Sequence, residues 1–175
     1  DVSPENVVLQ NGAFLEDVAT GQITLRRDFQ IKLIDFGLAE RFEDGHFECT
    51  KFVGKTRYKS PELWRKRPFD ARSNDVWSLG ITLFMMIMGT PPLKCPDIAK
   101  DDNLRLILDG KLLEVVQSWN RAKFMTPQIL DLVSRMLRRE SQRINIEGIK
   151  RHCWVKLSED AKGRKEGIKR GQRES

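Results

Sequence analysis

The acid, aromatic and glycine at positions 35–37 are the first residues whose types suggest chemistry. They follow the apolar run Ile-Lys-Leu-Ile at 31–34, a pattern typical of a buried strand that delivers a side chain to a loop. The Asp35 carboxylate is a hard oxygen ligand that can hold Mg²⁺, Phe36 can pack inward, and Gly37 permits backbone angles that a side chain forbids. An acid after a strand is also a common turn former or helix cap, so the tripeptide alone leaves both interpretations open.

The first six residues, Asp-Val-Ser-Pro-Glu-Asn, supply a second acid and an amide. Asp1 and Asn6 are five positions apart, and an apolar run follows at 7–9. Pro4 removes a backbone donor and disfavours helix at Ser3, so the segment is predicted to be a loop.

Four motifs, in this order along the chain, together resemble those of the protein kinase family. They are Asp-Val-Ser-Pro-Glu-Asn at 1–6, Asp-Phe-Gly at 35–37, Ser-Pro-Glu at 60–62 and Asp-Val-Trp-Ser-Leu-Gly at 75–80. Arg143 and the His-Cys-Trp at 152–154 match the end of the kinase domain. The resemblance covers about residues 1–155.

The resemblance implies a mainly α fold, the C-terminal lobe of the protein kinase-like fold with a short β-hairpin region and a long buried central helix. Because 175 residues are too few for a complete kinase domain, we expect a fragment without the N-terminal lobe. It is predicted to divide into the lobe at 1–155 and a charged, disordered tail at 156–175, which holds seven basic and four acidic residues. A nuclear signal or a patch for an anionic partner at 164–173 remains the alternative for this tail.

The resemblance also implies the residues of the site and the cofactors, ATP and Mg²⁺. Asp1 is expected to orient the substrate hydroxyl as the catalytic base, and Asn6 and Asp35 to be the metal ligands. Phe36 and Gly37 are expected to complete the cofactor-binding loop. Phosphoryl transfer depends on positioned charge more than on a strong nucleophile, so a carboxylate and an amide are suitable groups.

Two positions depart from the family pattern. Serine/threonine kinases usually carry Lys two residues after the catalytic Asp, where this chain has Ser3, and Thr after the glycine of the activation segment, where it has Lys55. In the family that Lys and Thr are neighbours. We therefore expect a reciprocal exchange, in which Lys55 supplies the cation and Ser3 the hydroxyl; a degenerating active site is the alternative.

Three further residues are expected to be structural. By resemblance, Glu62 and Arg143 form a buried ion pair, and Asp75 bonds to the backbone of the catalytic loop. Residues 38–59 match the activation segment, in which phosphate on Thr50 could pair with nearby cations. An unmodified mobile loop is the alternative, because Lys51 occupies the position where many relatives carry the phosphorylated hydroxyl.

Periodicity and turn residues predict the following elements. Strands are expected at 7–9, 22–25 and 30–34, and helices at 61–66, 71–89, 101–109, 112–119, 126–138 and from the cap Asn145 to 151, after which Trp154 packs. Residues 14–27 are expected to be a surface insertion without an assigned role.

Composition limits the remaining classes. The net charge is +6, but the charges are mixed and no nucleic-acid partner is expected. Three widely spaced cysteines support neither a disulfide framework nor a zinc site, which favours an intracellular location, cytoplasmic or nuclear. The longest apolar run, at 76–88, is too short to cross a membrane.

The expected activity is transfer of the γ-phosphoryl group of ATP to Ser/Thr hydroxyls of protein substrates, with the isolated fragment inactive. Serine/threonine specificity is favoured by two differences from tyrosine kinases. Those kinases usually carry Ala or Arg residues after the catalytic Asp and a Trp at the position of Tyr58, and this chain has neither. A pseudokinase, or a truncated module that binds other proteins, is the rival hypothesis.

Overall fold

The structure is a computed structural model that describes residues 2–10, 14–17, 20, 22–25, 29–43 and 45–156. Its strands are β1 (Val7–Leu9), β2 (Phe14–Asp17), β3 (Gln22–Leu25), β4 (Ile31–Leu33), β5 (Glu48–Cys49) and β6 (Phe69–Asp70). Its helices are α1 (Pro61–Trp64), α2 (Ala71–Met88), α3 (Asp102–Leu108), α4 (Leu112–Ser118), α5 (Pro127–Met136) and α6 (Ile146–Arg151). The mainly α fold expected from the sequence is confirmed.

Five of the helices begin at a side chain that caps the free N–H groups of the first turn. In each, an oxygen of the cap residue accepts a hydrogen bond from a backbone N–H two or three positions later. The caps are Ser60, Asp70, Asp101, Thr126 and Asn145. Helix α2 ends at Gly89, whose φ of 70° is the left-handed conformation that glycine adopts without a steric penalty.

Helix α2 is the centre of the hydrophobic core. Trp77, Ile81 and Phe84 on this helix are completely buried, and Phe84 meets Trp119 edge to face with ring centroids 5.9 Å apart. Side chains from α3, α4 and α5 surround this axis. The long buried central helix predicted from the apolar run is therefore confirmed.

Helices α2 and α5 approach closely at Gly80. A Cβ atom at this position would lie 2.9 Å from Leu137 Cδ2 and 3.0 Å from Met136 Cβ. The glycine therefore has a packing role, because it lets the end of α5 lie directly against the backbone of α2.

The strands form three antiparallel pairs, β1 with β4, β2 with β3 and β5 with β6. The predicted strands at 7–9 and 22–25 are confirmed, and the strand predicted at 30–34 is shorter, at Ile31–Leu33. Strand β2 lies in the predicted insertion, where the sequence predicts no strand before residue 22.

The prediction that the strand before Asp35 is buried is wrong. Ile31 is 61% exposed, and Leu33 and Ile34 are also exposed. The sheet is a two-stranded ribbon, and within the described residues no further layer covers the faces of β4. A short apolar run predicts a strand, but whether its faces are covered depends on distant parts of the chain.

The predicted helices are present, with ends that differ by a few residues. Helix α1 stops at Trp64, two residues early, and α5 stops at Met136. Trp154 was expected to pack after α6, but it remains partly exposed. No helix among the described residues is long and apolar enough to span a membrane. The predicted disordered tail lies outside the described residues from position 157 onward.

Candidate functional site

The β1–β4 ladder brings the first loop of the chain beside the acid at position 35. Val7 pairs with Leu33, and one step further the Ile34 N–H donates to the Asn6 carbonyl at 2.9 Å. Asn6 is therefore held next to the residue that precedes Asp35. The two predicted metal ligands, 29 positions apart in sequence, thus come from adjacent ends of one ribbon.

The loop before β1 is a 3₁₀ turn, Pro4–Asn6, which starts after Ser3. The Asn6 N–H donates to the Ser3 carbonyl at 2.9 Å, and Pro4 at the first position lacks only an N–H that the turn would leave unpaired. Both Ser3 and Asn6 are buried, so the turn fixes their side chains inside the protein.

Asp35 is the strained residue of the Asp-Phe-Gly segment. Its φ is 62°, a left-handed conformation that costs a residue with a side chain about 1–3 kcal/mol. Gly37, which the sequence reasoning assigned the special backbone angles, has no positive φ. Its N–H instead donates to Asp35 Oδ1 at 3.2 Å, a bond that holds the carboxylate in place.

Phe36 does not pack inward as predicted. Its side chain is 66% exposed, next to the exposed Ile34 and Leu38. Phe36 is exposed for the same reason as β4. The described residues provide no layer over this edge of the ribbon.

Lys55 and Ser3, the two positions that depart from the family pattern, are in direct contact. Lys55 Nζ donates to Ser3 Oγ at 2.9 Å and lies 3.5 Å from Glu5 Oε2. A backbone hydrogen bond at Glu5, followed by the Ser3 hydroxyl and the Lys55 ammonium, lowers the pKa of the Glu5 carboxyl. The expected juxtaposition of ammonium and hydroxyl is therefore present, and Glu5 is a third member that sequence reasoning missed.

A cavity of about 260 Å³ lies between the end of the ribbon and the activation segment. Its lining includes Asp35 and Phe36 as well as Lys55 and Lys59 from the activation segment. Charges of both signs thus face one space, as recognition of an anionic substrate with an associated cation requires.

Asp75 on α2 also lines the cavity. Surrounding protein atoms displace water and raise the pKa of its carboxyl, although the residue as a whole is exposed. Its side chain makes no hydrogen bond to another described residue, so the predicted bond to the catalytic-loop backbone is not observed for residues 2–6. Asp1, the predicted catalytic base, lies outside the described residues.

The donor set of the site suits a hard divalent cation. Asp35 offers a carboxylate and Asn6 an amide oxygen, which are ligands that Mg²⁺ accepts alongside substrate phosphates. The described part of the chain contains no cluster of three or more His, Cys, Asp or Glu side chains that could hold a metal ion.

The activation segment is attached to the helical lobe by β5. Strand β5 pairs with β6, and the Ala71 N–H donates to the Phe47 carbonyl at 2.9 Å. The Arg72 guanidinium lies 3.5 Å above the Phe47 ring. Thr50, the predicted phosphorylation site, is exposed at the end of β5.

Lys51, next to Thr50, is engaged within the segment. Its Nζ lies 2.8 Å from Glu40 Oε1, and Cys49 Sγ lies 3.6 Å from Glu40 Oε2. The side-chain hydrogen bond to Glu40, together with its charge, raises the pKa of Lys51. The activation segment therefore has the Lys51–Glu40 contact at the position where many relatives carry the phosphorylated hydroxyl.

Glu62 and Arg143 form the expected ion pair, with Nη1 2.6 Å from Oε1. The Arg143 side chain is completely buried and also donates to the Ser73 carbonyl, to Ser73 Oγ and twice to the Arg138 carbonyl. All its donor nitrogens are thus satisfied, which is the condition under which a buried charge is tolerated.

Asn74 and Glu140, which sequence reasoning missed, bind the backbone at the starts of α1 and α2. Asn74 Oδ1 accepts from the Ser60 N–H at 3.3 Å, and Glu140 Oε1 accepts from the Asp70 N–H at 2.7 Å. Both partners are far away in sequence, so no local pattern could have identified them.

Comparisons with known proteins agree with this geometry. A profile of the family described as "Protein kinase domain" matches residues 1–155. Testis-specific serine/threonine-protein kinase 1 of Mus musculus is 33% identical over 144 residues, 79% of this chain and 38% of that protein. SNF-related serine/threonine-protein kinase of Homo sapiens is 31% identical over 156 residues, 89% of this chain and 17% of that protein.

A third similar protein is Probable serine/threonine-protein kinase MARK-A of Dictyostelium discoideum, 32% identical over 155 residues. The match covers 88% of this chain but 14% of that protein. The chain therefore spans well under half the length of these relatives.

Proposed function

This chain belongs to the protein kinase family, and from that premise we propose that the complete protein transfers the γ-phosphoryl group of ATP to Ser or Thr hydroxyls of proteins. The observation that carries the proposal is the bond from the Ile34 N–H to the Asn6 carbonyl, which holds the backbone of Asn6 beside the residue that precedes Asp35. The relatives that match most of this chain bear serine/threonine kinase names, which supports the choice of hydroxyl.

In this proposal Asn6 and Asp35 hold Mg²⁺ with the phosphates of ATP. The bound ion supplies positive charge that offsets the charge of the transferring group. The strained backbone of Asp35 and the Gly37 N–H keep the carboxylate directed, and Gly37 and Phe36 form the turn beside the nucleotide. This is positioning, which is the main contribution a protein makes to phosphoryl transfer.

We assign the remaining roles to Asp1, Lys55 and Ser3, of which Lys55 lines the same cavity. Asp1 orients the substrate hydroxyl and accepts its proton. Lys55 places an ammonium group near the transferring phosphoryl group, and Ser3 holds that ammonium through the 2.9 Å hydrogen bond. A lysine on the activation segment thereby supplies the cation that the family usually places in the catalytic loop.

Two further assignments complete the proposal. Thr50, exposed beside the Lys51–Glu40 contact, is a phosphorylation site through which the activation segment is regulated. The protein acts in an intracellular compartment on protein substrates.

The 175-residue chain alone is proposed to be inactive. The exposed apolar side chains of β4 and Phe36 form a surface beside the cavity that another part of the complete protein would cover. The same surface favours the rival function, in which this lobe binds partner proteins without catalysis.

The test is Mg²⁺-dependent phosphate transfer by the complete protein to a Ser-containing peptide. Asp35→Asn is expected to lower kcat by about 10²–10³-fold, because one charge that organises the reaction is lost. Asp102→Asn, which removes an exposed carboxylate paired with Arg105, is the control and should retain activity. A complete protein that binds partner proteins but neither Mg-ATP nor phosphate-acceptor peptides would establish the rival instead.

A further inference from the structure

The segment at 55–67 carries an unusual concentration of positive charge. It contains six basic residues and one acidic residue, against a net charge of +6 for the whole chain. The acid is Glu62, and it is already bonded to the buried Arg143. Four of the cations, Arg57, Arg65, Lys66 and Arg67, are exposed, and we call them the basic surface.

The members of the basic surface have no anionic partner among the residues that the structure describes. Within the described part of the chain, none of the four forms an ion pair or a side-chain hydrogen bond. Exposed cations elsewhere are commonly paired, for example Arg105 with Asp102, Lys111 with Glu114 and Lys150 with Glu147. The basic surface is therefore available to a negatively charged ligand from outside the chain.

The backbone holds three of these residues together in one turn and limits their distance from Arg57. Arg57 lies in the 3₁₀ turn Thr56–Tyr58, and the other three follow α1 in a turn. The Lys66 N–H donates to the Leu63 carbonyl at 3.1 Å and the Arg67 N–H to the Glu62 carbonyl at 3.3 Å. Chain geometry limits the distance from Arg57 to Arg65 to about 20 Å. A short extended peptide could therefore contact all four.

The basic surface begins at the rim of the candidate site. Lys55, Tyr58, Lys59 and Leu63 from the same segment line the cavity that also contains Asp35. A polypeptide that has its hydroxyl in this cavity and runs along the segment carries its neighbouring residues past the four cations. Negative charges on the substrate next to these cations would increase the rate at which substrate and enzyme associate and would fix the register of the bound peptide.

We propose that the basic surface binds an acidic segment of the protein substrate, adjacent to the hydroxyl that receives phosphate. This inference rests on the proposed kinase function and adds a substrate class to it, namely Ser/Thr sites with Asp or Glu residues nearby.

A peptide fits this surface better than a nucleic acid does. Binding of single-stranded nucleic acid uses exposed aromatic rings between the cations, on which bases stack. In this segment Tyr58 is buried and its hydroxyl contacts Met85 Sδ, so Trp64 is the one partly exposed ring. Four cations over this short span suit a few carboxylates of an extended chain.

The first experiment measures binding to the complete protein by fluorescence anisotropy. The probe is a labelled Ser-containing peptide with a cluster of aspartates, compared with its asparagine twin. Arg65→Gln/Lys66→Gln/Arg67→Gln is expected to weaken binding of the aspartate peptide roughly tenfold and to leave the asparagine peptide unchanged. The matched control, Arg105→Gln/Lys111→Gln/Lys150→Gln, removes three exposed cations from paired positions and should retain the affinity.

A charge-reversed variant separates loss of the surface from loss of the fold. Arg65→Glu/Lys66→Glu/Arg67→Glu is expected to bind a lysine version of the peptide more tightly than the aspartate version, a gain that unfolding cannot produce. Equal affinity of wild type and both triple variants for the aspartate peptide would overturn the inference. Tighter binding of a single-stranded oligonucleotide than of the aspartate peptide would also overturn it.

The second experiment measures turnover of the same peptides. In the glutamine variant, KM for the aspartate peptide should rise roughly tenfold with kcat unchanged, because the affected groups act before the chemical step. If the wild-type protein phosphorylates no peptide, the proposed function fails. The anisotropy result still decides whether the basic surface binds acidic peptides.

Discussion

The Lys55 ammonium donates a 2.9 Å hydrogen bond to the Ser3 hydroxyl, across 52 positions of the sequence. Ser3 is completely buried, whereas the Lys55 side chain retains contact with solvent. The hydroxyl therefore acts as a fixed anchor, and the ammonium can still reach a ligand in the cavity. This contact links the loop before β1 to the activation segment and makes the position of the cation depend on both.

The first prediction concerns this contact. Lys55→Ala is expected to lower kcat of the complete protein by about 10²-fold or more, because a charge near the transferring phosphoryl group is lost. The double variant Ser3→Lys/Lys55→Thr, which exchanges the two residue types, should recover a large part of the activity. The measurement is kcat and KM for one peptide.

Lys100→Ala is the control for this series, since Lys100 forms an exposed pair with Asp97 far from the activation segment in sequence. An active Lys55→Ala together with an inactive double variant would refute the exchange. Loss of activity in the control would show that the assay responds to any loss of surface charge.

The second prediction concerns the buried ion pair. Glu62→Gln should lower the free energy of unfolding by about 3–5 kcal/mol, because the buried Arg143 loses its countercharge. Arg143→Lys should also destabilise the fold, since one ammonium cannot replace a planar guanidinium that donates to Glu62, Ser73 and the Arg138 carbonyl. Urea unfolding provides the measurement.

Glu147→Gln is the matched control, because it breaks the exposed pair with Lys150. An exposed pair contributes about 0–1 kcal/mol, so this variant should unfold near the wild-type midpoint. Equal effects of Glu62→Gln and Glu147→Gln would contradict a special contribution from the buried pair.

The third prediction concerns the contact between α2 and α5. Gly→Ala inside a helix normally stabilises by up to about 1 kcal/mol. At Gly80 the added methyl would meet Met136 Cβ at 3.0 Å, an atom close to the backbone that cannot rotate away. Gly80→Ala is therefore expected to destabilise by about 1–3 kcal/mol in thermal or urea unfolding.

Met86→Ala on the same helix is the comparison for Gly80. Met86 is 75% exposed, so its truncation should change stability by no more than about 0.5 kcal/mol. A stabilised Gly80→Ala variant would mean that the two helices separate more easily than their packing indicates.

Features with a local signature could be predicted from the sequence. Thr126 before Pro127, Asn145 at the start of α6 and Gly89 after α2 each carry the cap or stop signal that the structure contains. The ion pair of Glu62 with Arg143 followed from motif resemblance, and the pair is present.

Features that depend on distant parts of the chain could not be predicted from the sequence. The exposure of Ile31 and Phe36 depends on which layers cover the ribbon, and an apolar run does not report that. The left-handed residue of the Asp-Phe-Gly turn is Asp35, because its carboxylate bonds to the Gly37 N–H, whereas intrinsic preference favoured glycine. The bond of Glu140 to the Asp70 N–H joins residues 70 positions apart and has no signature in sequence.

The last prediction concerns acid stability and Asp131. His152 Nε2 lies 2.9 Å from Asp131 Oδ2, and Arg135 Nε lies 3.0 Å from the same carboxylate. The hydrogen bond from His152, followed by that from Arg135, lowers the pKa of the Asp131 carboxyl. The Trp154 N–H points at His152 Nδ1, which leaves the ring proton on Nε2 for the carboxylate.

A carboxyl group whose pKa is lower in the folded state stabilises the fold above its ordinary pKa of about 3.9 and loses this contribution as the pH falls through the folded-state value. Wild-type stability should therefore fall more steeply below about pH 5 than that of Asp131→Asn, measured by urea unfolding at a series of pH values. The difference should be small, because the carboxylate is half exposed and solvent screens it. Asp102→Asn removes an exposed Arg-paired carboxylate without a histidine contact, so comparison of the two variants isolates the effect of His152. Parallel acid limbs for wild type and Asp131→Asn would show that the contact with His152 does not contribute to acid stability.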